Sequence, residues 1–380
     1  MTAAAASSFV RAEMIAPSAP PPMRAGALGW AREHLFGSIG NAILTLLGVA
    51  ALAALLWPTI RFVLIDAVWQ GRERGDCLPE TVGHAVGACW PFITAKFRQL
   101  MFGFYPAAER WRVVLVYGLG ALLLAPLLVP RVPHKTLNAV LFFGAFPAVA
   151  AVLLLGGVFG LREVETRLWG GLLVTLVISY AGIVGSLPLG VLLALARRSD
   201  LLVVRGASIV FIEFWRGVPL ITVLFFATYM LPYFLPGNWN IDGLLRVVIG
   251  VILFSAAYLS EVVRAGLQAI PRGQFEGAMA LGLGYWRMMG LVVLPQALRL
   301  VIPGLVNSFI ALFKDTTLVL IVAIFDLLGQ LRAAFADPNW ATPVTLFTGF
   351  AFAGMIYFVV SFAMSRYALF TEQRLRVHRR

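Results

Sequence analysis

Lysine is nearly missing from this sequence: Lys96, Lys135 and Lys314 are the only three in 380 residues. None follows a glycine-rich phosphate loop, so the chain carries no Walker A site of its own. Histidine is almost as scarce, and His34, His84, His134 and His378 all fall outside the long apolar runs. There is no HExxH pattern, and no serine–histidine pair can be assembled inside an apolar run; "GASI" at Gly206 to Ile209 is a lone coincidence. Zinc peptidase and intramembrane serine hydrolase chemistry are thereby excluded. Cysteine is limited to Cys77 and Cys89, with only His84 nearby and no Cys-x-x-Cys spacing, so the pair does not make a metal site. Two readings of it stand level: a disulfide, if that stretch faces an oxidising compartment, or two unpaired thiols.

Charge is thin as well, at 13% of residues, against about 25% in an ordinary soluble domain. What fills the chain instead is apolar: 60% of residues are hydrophobic. Several uninterrupted runs approach or exceed the ~20 residues that cross a bilayer as a helix. They lack the polar face that a soluble helix shows at its period. The chain reads as an all-α integral membrane protein in contact with the lipid bilayer. The net charge of +12 sits in short links and tails rather than along one basic face. That distribution orients a polytopic protein and does not point to nucleic acid.

Eight spans are expected: Asn41 to Ile65, Val113 to Val129, Asn138 to Leu161, Leu168 to Ala196, Ile209 to Leu235, Leu244 to Leu259, Leu298 to Leu328 and Thr345 to Leu369. The third carries Gly156-x-x-x-Gly160, a spacing that lets helices pack closely. Residues 1–38, including "APSAPPP" at Ala16 to Pro22, lack the apolar surface to order themselves and read as a flexible tail. Residues 39–165 hold three spans and a long loop at 66–112; a basic tail closes the chain at 371–380. The second part of the loop mixes aromatics with cations and suits a membrane interface. Arg131 with Lys135, Arg197 with Arg198, and the tail "RLRVHRR" fall on one side. The even span count puts both termini on that side, and the positive-inside rule makes it the cytoplasm. The loop 66–112 runs counter with Arg72, Arg74, Lys96 and Arg98, but long loops obey the rule poorly and it also carries acids.

Ionisable groups at membrane depth are costly and mark a pathway or a required pairing. Lys314 and Asp315, in "ALFKDTTLVL", are adjacent and point in different directions, so each needs a partner elsewhere. A structural ion pair and a contact along a solute pathway both satisfy that need, and Thr316 and Thr317 can join either network. "FIEFWRGVPLI" presents Glu213 and Arg216 at i, i+3 before Gly217 and Pro219 interrupt the helix. The segment reads as an interfacial anchor at Trp215 or as a hinge at the mouth of a pore, the hinge being slightly favoured.

Residues 260–299 make a long link that contains "GQFEGAMALGLG", Gly273 to Gly284. At helical period Phe275, Met279, Gly282, Trp286 and Met289 form one stripe, and Gly277, Ala278 and Gly282 offer a small-residue face. Such a helix either docks another protein or packs beneath the bundle. The segment resembles the EAA loop of ATP-binding-cassette importer membrane subunits through Glu276, Gly277, Ala278, Gly282, Val292, Leu294 and Pro295, with Gly277 standing where alanine is usual. "WGGLLVTLVISYAGIVGSLPLGVLLALARRS", "FIEFWRGVPLI" and "LPQALRLVIPGLVNSFIALFKDTTLV" look like the polar amino acid permeases, and the resemblance spans about Trp169 to Leu369. The extra front spans look like the longer, M-type subunit of general L-amino acid permeases.

The resemblance implies a type I importer transmembrane domain at 166–370 in a bacterial inner membrane. It also implies that the EAA loop couples to a separate cytoplasmic ATPase dimer, which would use the ATP and magnesium. A sister permease subunit and a periplasmic amino-acid-binding protein complete the expected partners. Lys314, Asp315 and Thr316 become candidates for the substrate path, and Glu213, Arg216, Gly217 and Pro219 for a hinge or gate. An ion-gradient-driven secondary transporter or channel is the alternative; it would leave the EAA-like loop without a purpose.

Overall fold

Inside a bilayer every backbone polar group must be satisfied within the protein, which leaves helices as the natural form for apolar runs. A computed structural model describes residues 26–129, 132–236 and 241–377. The segment Ala16 to Pro22, Arg131 and the last three residues lie outside them. Among the described residues strand pairing is confined to two isolated bridges, Val68 with Cys89 and Gly171 with Asp326. The rest is helix and connection. Among the described residues seven helices are long and apolar enough to cross a membrane, or eight if one sharply bent pair counts as a span.

Two units form. The first ends at Asp66 and contains α1 (Ala27–His34) and α2 (Ile39–Ile65). The helix α1 falls inside the stretch read as a flexible tail, and Trp30 stacks on His34 one turn along it. Ser38 caps α2, its Oγ accepting from Asn41 N at 3.1 Å. No residue of α2 is buried, and the helix is apolar all round, as a span is.

The second unit runs from Ala67. Its elements are α3 (Trp90–Phe102), α4 (Ala107–Leu128), α5 (Lys135–Leu155), α6 (Leu172–Ala196), α7 (Leu202–Gly217) and α8 (Leu220–Phe234). They continue with α9 (Gly243–Gln268), α10 (Arg272–Ala280), α11 (Tyr285–Val322), α12 (Leu327–Phe335) and α13 (Thr345–Val377). The spans α4 and α5 share one core with α6 and α9, through Val113, Val116, Leu154, Ile178 and Val247. Phe142 and Phe146 meet the Tyr180 ring edge-on, tying α5 to α6. Lipid is as apolar as leucine, so packing rather than water release holds such helices together. The α6–α9 contact is close enough that a methyl on Gly190 would fall 2.9 Å from Leu259 Cβ.

Three expectations change. The helix α5 stops at Leu155, and Gly156 (φ 70°) and Gly160 (φ 74°) form the turns of a loop rather than a packing face. The span α11 starts thirteen residues before Leu298, at Tyr285, and ends at Val322, where Ala323 turns left-handed (φ 60°). The stretch after it is a separate helix, α12, started by Asp326, whose carboxylate accepts from Gly329 N at 2.9 Å. The loop 66–112 is also more than an interfacial segment. Phe92, Leu100 and Met101 of α3 are buried with Leu327, Leu331, Trp340 and Phe352.

Candidate functional site

Proline at 271 begins α10, because it cannot donate the N–H that would continue α9. The end of α10 is equally definite. Gly282 N donates to Met279 O at 2.9 Å and Leu283 N to Ala278 O at 3.2 Å. That paired pattern, with Gly282 at φ 73°, is a Schellman stop. The chain then turns at Gly284 and re-enters a helix at Tyr285.

The expected single stripe is therefore broken in two. Phe275 is half-buried and Met289 is buried, while Met279 and Trp286 are exposed on either side of the turn. Ala278 faces inward against Met288, Met289 and Val293. Glu276 and Gly277 face outward, beside Met279, and Leu281 is 81% exposed at the corner. Gly282 serves the turn rather than a small-residue face; the "LGLG" glycine just past a helix end was the signal for it. Val292 closes this part of the segment at a π-helical turn, Met289–Val293, and Leu294 and Pro295 begin the next α-helical part. Pro295 thus lies within α11 rather than beside the end of α10. Gln296 Nε2 donates to Gln274 Oε1 at 2.9 Å, holding α10 against α11.

Around this helix–turn–helix the ends of three spans are laced by charge. The axis bends by 102° between α7 and α8, with the break at Gly217 to Pro219, where Val218 and Pro219 are extended. Arg216 stands 3.9 Å from Glu213, as their spacing suggested. The closer partner of Glu213 is Arg197, at 3.0 Å; Arg197 also reaches Glu261 at 2.7 Å, and Arg264 reaches Glu261 at 2.5 Å. Arg197, Glu261 and Arg264 were missed as members of this site, although Glu261 and Arg264 also stand at i, i+3. The guanidinium of Arg198 lies 5.6 Å from the centre of the Phe275 ring, linking the end of α6 to α10.

Lys314 and Asp315 diverge, as adjacent helical residues must. Lys314 is exposed, and Asp315 is half-buried. It lines a cavity of about 10 Å³ with Thr316, Ser255, Ile178, Val251 and Leu312. That volume is about what one water needs. Among the described residues neither charge forms an ion pair. Thr316 and Thr317 donate to backbone oxygens three residues back, Phe313 O and Lys314 O, rather than to these charges. Cys77 and Cys89 are joined in a disulfide with Cα atoms 5.8 Å apart.

The fold is that of a polytopic helical membrane protein carrying an exposed, proline-started helix–turn–helix. Residues 186–377 match the family described as "Binding-protein-dependent transport system inner membrane component", and the chain belongs to that family. It is a multi-pass inner-membrane transport component rather than an enzyme. It is 47% identical over 353 residues to the inner membrane amino-acid ABC transporter permease protein YhdY of Escherichia coli K12, covering 93% of this chain and 94% of that one. It is 39% identical to the glutamate/glutamine/aspartate/asparagine transport system permease protein BztC of Rhodobacter capsulatus, covering 97% and 98%. A solved amino acid ABC transporter with histidines is 28% identical over 54% of this chain and 92% of its own, with a TM-score of 0.47.

Proposed function

We propose that this chain is the membrane-spanning subunit of an ATP-binding-cassette importer of polar L-amino acids, of the longer M type. Its partners are a sister permease, a cytoplasmic ATPase dimer that uses ATP and magnesium, and a periplasmic amino-acid-binding protein. The observation that carries the reading is the outward face of α10. Glu276, Gly277, Met279 and Leu281 stand exposed on a helix whose start and stop are fixed by Pro271 and Gly282. A rigid helix with an apolar, small-residue crest is suited to receive a partner's push and pass it to α9 and α11 as a shift of packed elements. In this reading α10 and both termini are cytoplasmic, and the loop 66–112 lies outside.

Alternating access then opens and closes a path between the two permease subunits. Asp315, a carboxylate with no ion pair among the described residues, beside Thr316 and Ser255, is suited to the ammonium of a passing amino acid, and Lys314 on the exposed side to the lining of the path. The break at Gly217 and Pro219, with Glu213 and Arg216 beside it, forms the hinge at the cytoplasmic mouth.

The test is uptake by the full assembly in proteoliposomes. Met279→Asp places a charge on the crest without straining the backbone and abolishes ATP-dependent amino-acid uptake while the spans stay folded. Full uptake by Met279→Asp and by Glu276→Arg would refute the coupling role. Gly282→Arg also stops uptake, but it strains the turn at φ 73°, so the Met279 variant decides.

A further inference from the structure

At the end of the bundle opposite α10, residues 72–75 and 338–340 border an open concavity of about 290 Å³. It lies at the small end of ligand pockets, which run from ~300 to 1,000 Å³, and suits a molecule of amino-acid size. Its walls are Arg72, Glu73, Arg74, Pro338, Asn339 and Trp340.

The two walls are distant in sequence and are locked together. The disulfide Cys77–Cys89 closes the first. The Asp76 carboxylate accepts from Arg72 N at 2.7 Å and Glu73 N at 3.3 Å, which sets the backbone beneath both arginines. Cys89 N donates to Thr348 Oγ1 at 2.9 Å, fastening the loop to α13. On the second wall Asp337 pairs with Lys96 of α3 and accepts from Asn339 N at 3.0 Å. Trp340 is only 8% exposed, and its ring packs 6.4 Å from that of Phe92.

The charges inside do not cancel. Among the described residues neither Arg72 nor Arg74 forms an ion pair. Glu73 is held by a capping box with Asp76, accepting its backbone N–H. A carboxylate offers about four acceptor positions, so this bond leaves room for an ammonium. Two cations alone would suit any anion. Two cations and a carboxylate on consecutive residues, bordering a space this size, suit a zwitterion.

We propose that this concavity is a binding site for free α-amino acids, separate from the Asp315 cavity. Arg72 and Arg74 take the α-carboxylate and Glu73 the α-ammonium, with Asn339 available as donor and acceptor. Trp340 and Pro338 supply an apolar wall for the side chain. Recognition addresses the α-groups only, so side chains of every class are accepted. The proposal rests on amino acids being the cargo, and makes this site a holding place outside the path.

The test is equilibrium binding to the assembly in lipid nanodiscs with the solute-binding protein omitted. The probes are radiolabelled L-glutamine, L-aspartate, L-lysine and L-leucine. All four bind the unaltered assembly. The exposed double substitution Arg72→Gln with Arg74→Gln weakens each by about tenfold or more, as expected when charge-assisted bonds are lost. Glutamine lacking its ammonium (4-carbamoylbutanoate) binds more weakly than glutamine and is insensitive to Glu73→Gln. No binding by the unaltered assembly, or binding indifferent to the arginine pair, overturns the proposal. If those variants leave binding intact but remove stimulation by the solute-binding protein, the concavity is a protein-docking surface and the proposal is equally overturned. Intact uptake with no binding here sinks this site alone; absence of uptake of any amino acid sinks the cargo reading.

Discussion

Arg197 Nη1 stands 2.7 Å from Glu261 Oε1 and 3.0 Å from Glu213 Oε1, so one guanidinium at the end of α6 joins α7 to α9. Glu261 is then held from two sides, since Arg264 meets its other oxygen. Arg197→Ala leaves Glu213 with Arg216 alone, at 3.9 Å. The expected loss is about 1.5–3 kcal/mol, the range for a hydrogen bond to a charged group, read as a lowered thermal midpoint of the purified complex. Both contacts come from the single nitrogen Nη1, so Arg197→Lys, which carries one ammonium with several donors, recovers most of the loss. An unchanged midpoint in the alanine variant would mean that α7 is held by other contacts.

Much of this arrangement was legible in the chain, and the failures have separate causes. Apolar length located the spans, because a bilayer leaves helices as the only satisfied form for them. The break at Gly217 and Pro219 was legible because proline removes a donor wherever it stands. The stripe from Phe275 to Met289 was misread because a 3.6-residue period was carried through Gly282, where the φ of 73° ends the helix. Gly156 and Gly160 carry the spacing of a packing motif, but the same residues serve turns, and spacing cannot separate the two uses. Arg197 escaped notice because its partners lie 16 and 64 residues away, a distance no local pattern spans. The burial of α3 beside α12 depends on the same kind of remote contact.

The disulfide between Cys77 and Cys89 closes a loop over a sequence separation of 12. Restricting the unfolded chain over a loop of that length stabilises by about 3 kcal/mol in the chain-entropy account, within a range of ~0–5. Cys77→Ser with Cys89→Ser should therefore lower the thermal midpoint and expose the segment around Arg72 and Arg74 to limited proteolysis. Protease resistance equal to that of the unaltered protein would show that Asp76 and Thr348 hold the loop without the bridge.

Asp337 predicts a response to acid. The Lys96 ammonium beside it, helped by the Asn339 N–H, holds its carboxyl below the usual carboxylate range. A pKa lower in the folded than in the unfolded protein means the unfolded state binds the proton first. The stabilisation is thus complete above the unfolded value of about 3.9 and is lost as pH falls through the folded one. Asp76 shifts the same way, held low by the Arg72 and Glu73 N–H groups. Lys96→Met should remove only the Asp337 share, so its stability profile flattens below about pH 4 relative to the unaltered protein. Identical acid limbs would show that the Lys96 pair contributes nothing to linkage.

Arg198 and Phe275 make a prediction about coupling rather than folding. The guanidinium lies 5.6 Å from the ring centre, within the ~6 Å over which a cation is drawn to an aromatic face. Arg198 is exposed and Phe275 half-buried, so the contact is worth about 0.5–1 kcal/mol and its loss leaves the bundle folded. What it does fix is the angle between the end of α6 and α10, since the second tie, Gln296 to Gln274, joins α10 to α11. With that tie removed, only the apolar cluster that Ala194, Leu195 and Ala278 share carries a push on α10 to α6, so the proposed coupling weakens. In the reconstituted assembly Arg198→Ala should keep ATP hydrolysis within about twofold while amino-acid uptake per ATP falls several-fold, the size expected when an energy near 1 kcal/mol is withdrawn from a two-state element. Arg198→Lys, which keeps a cation over the ring, should restore the ratio. A purely structural role would instead lower hydrolysis and uptake together with assembly yield, and uptake per ATP would not change.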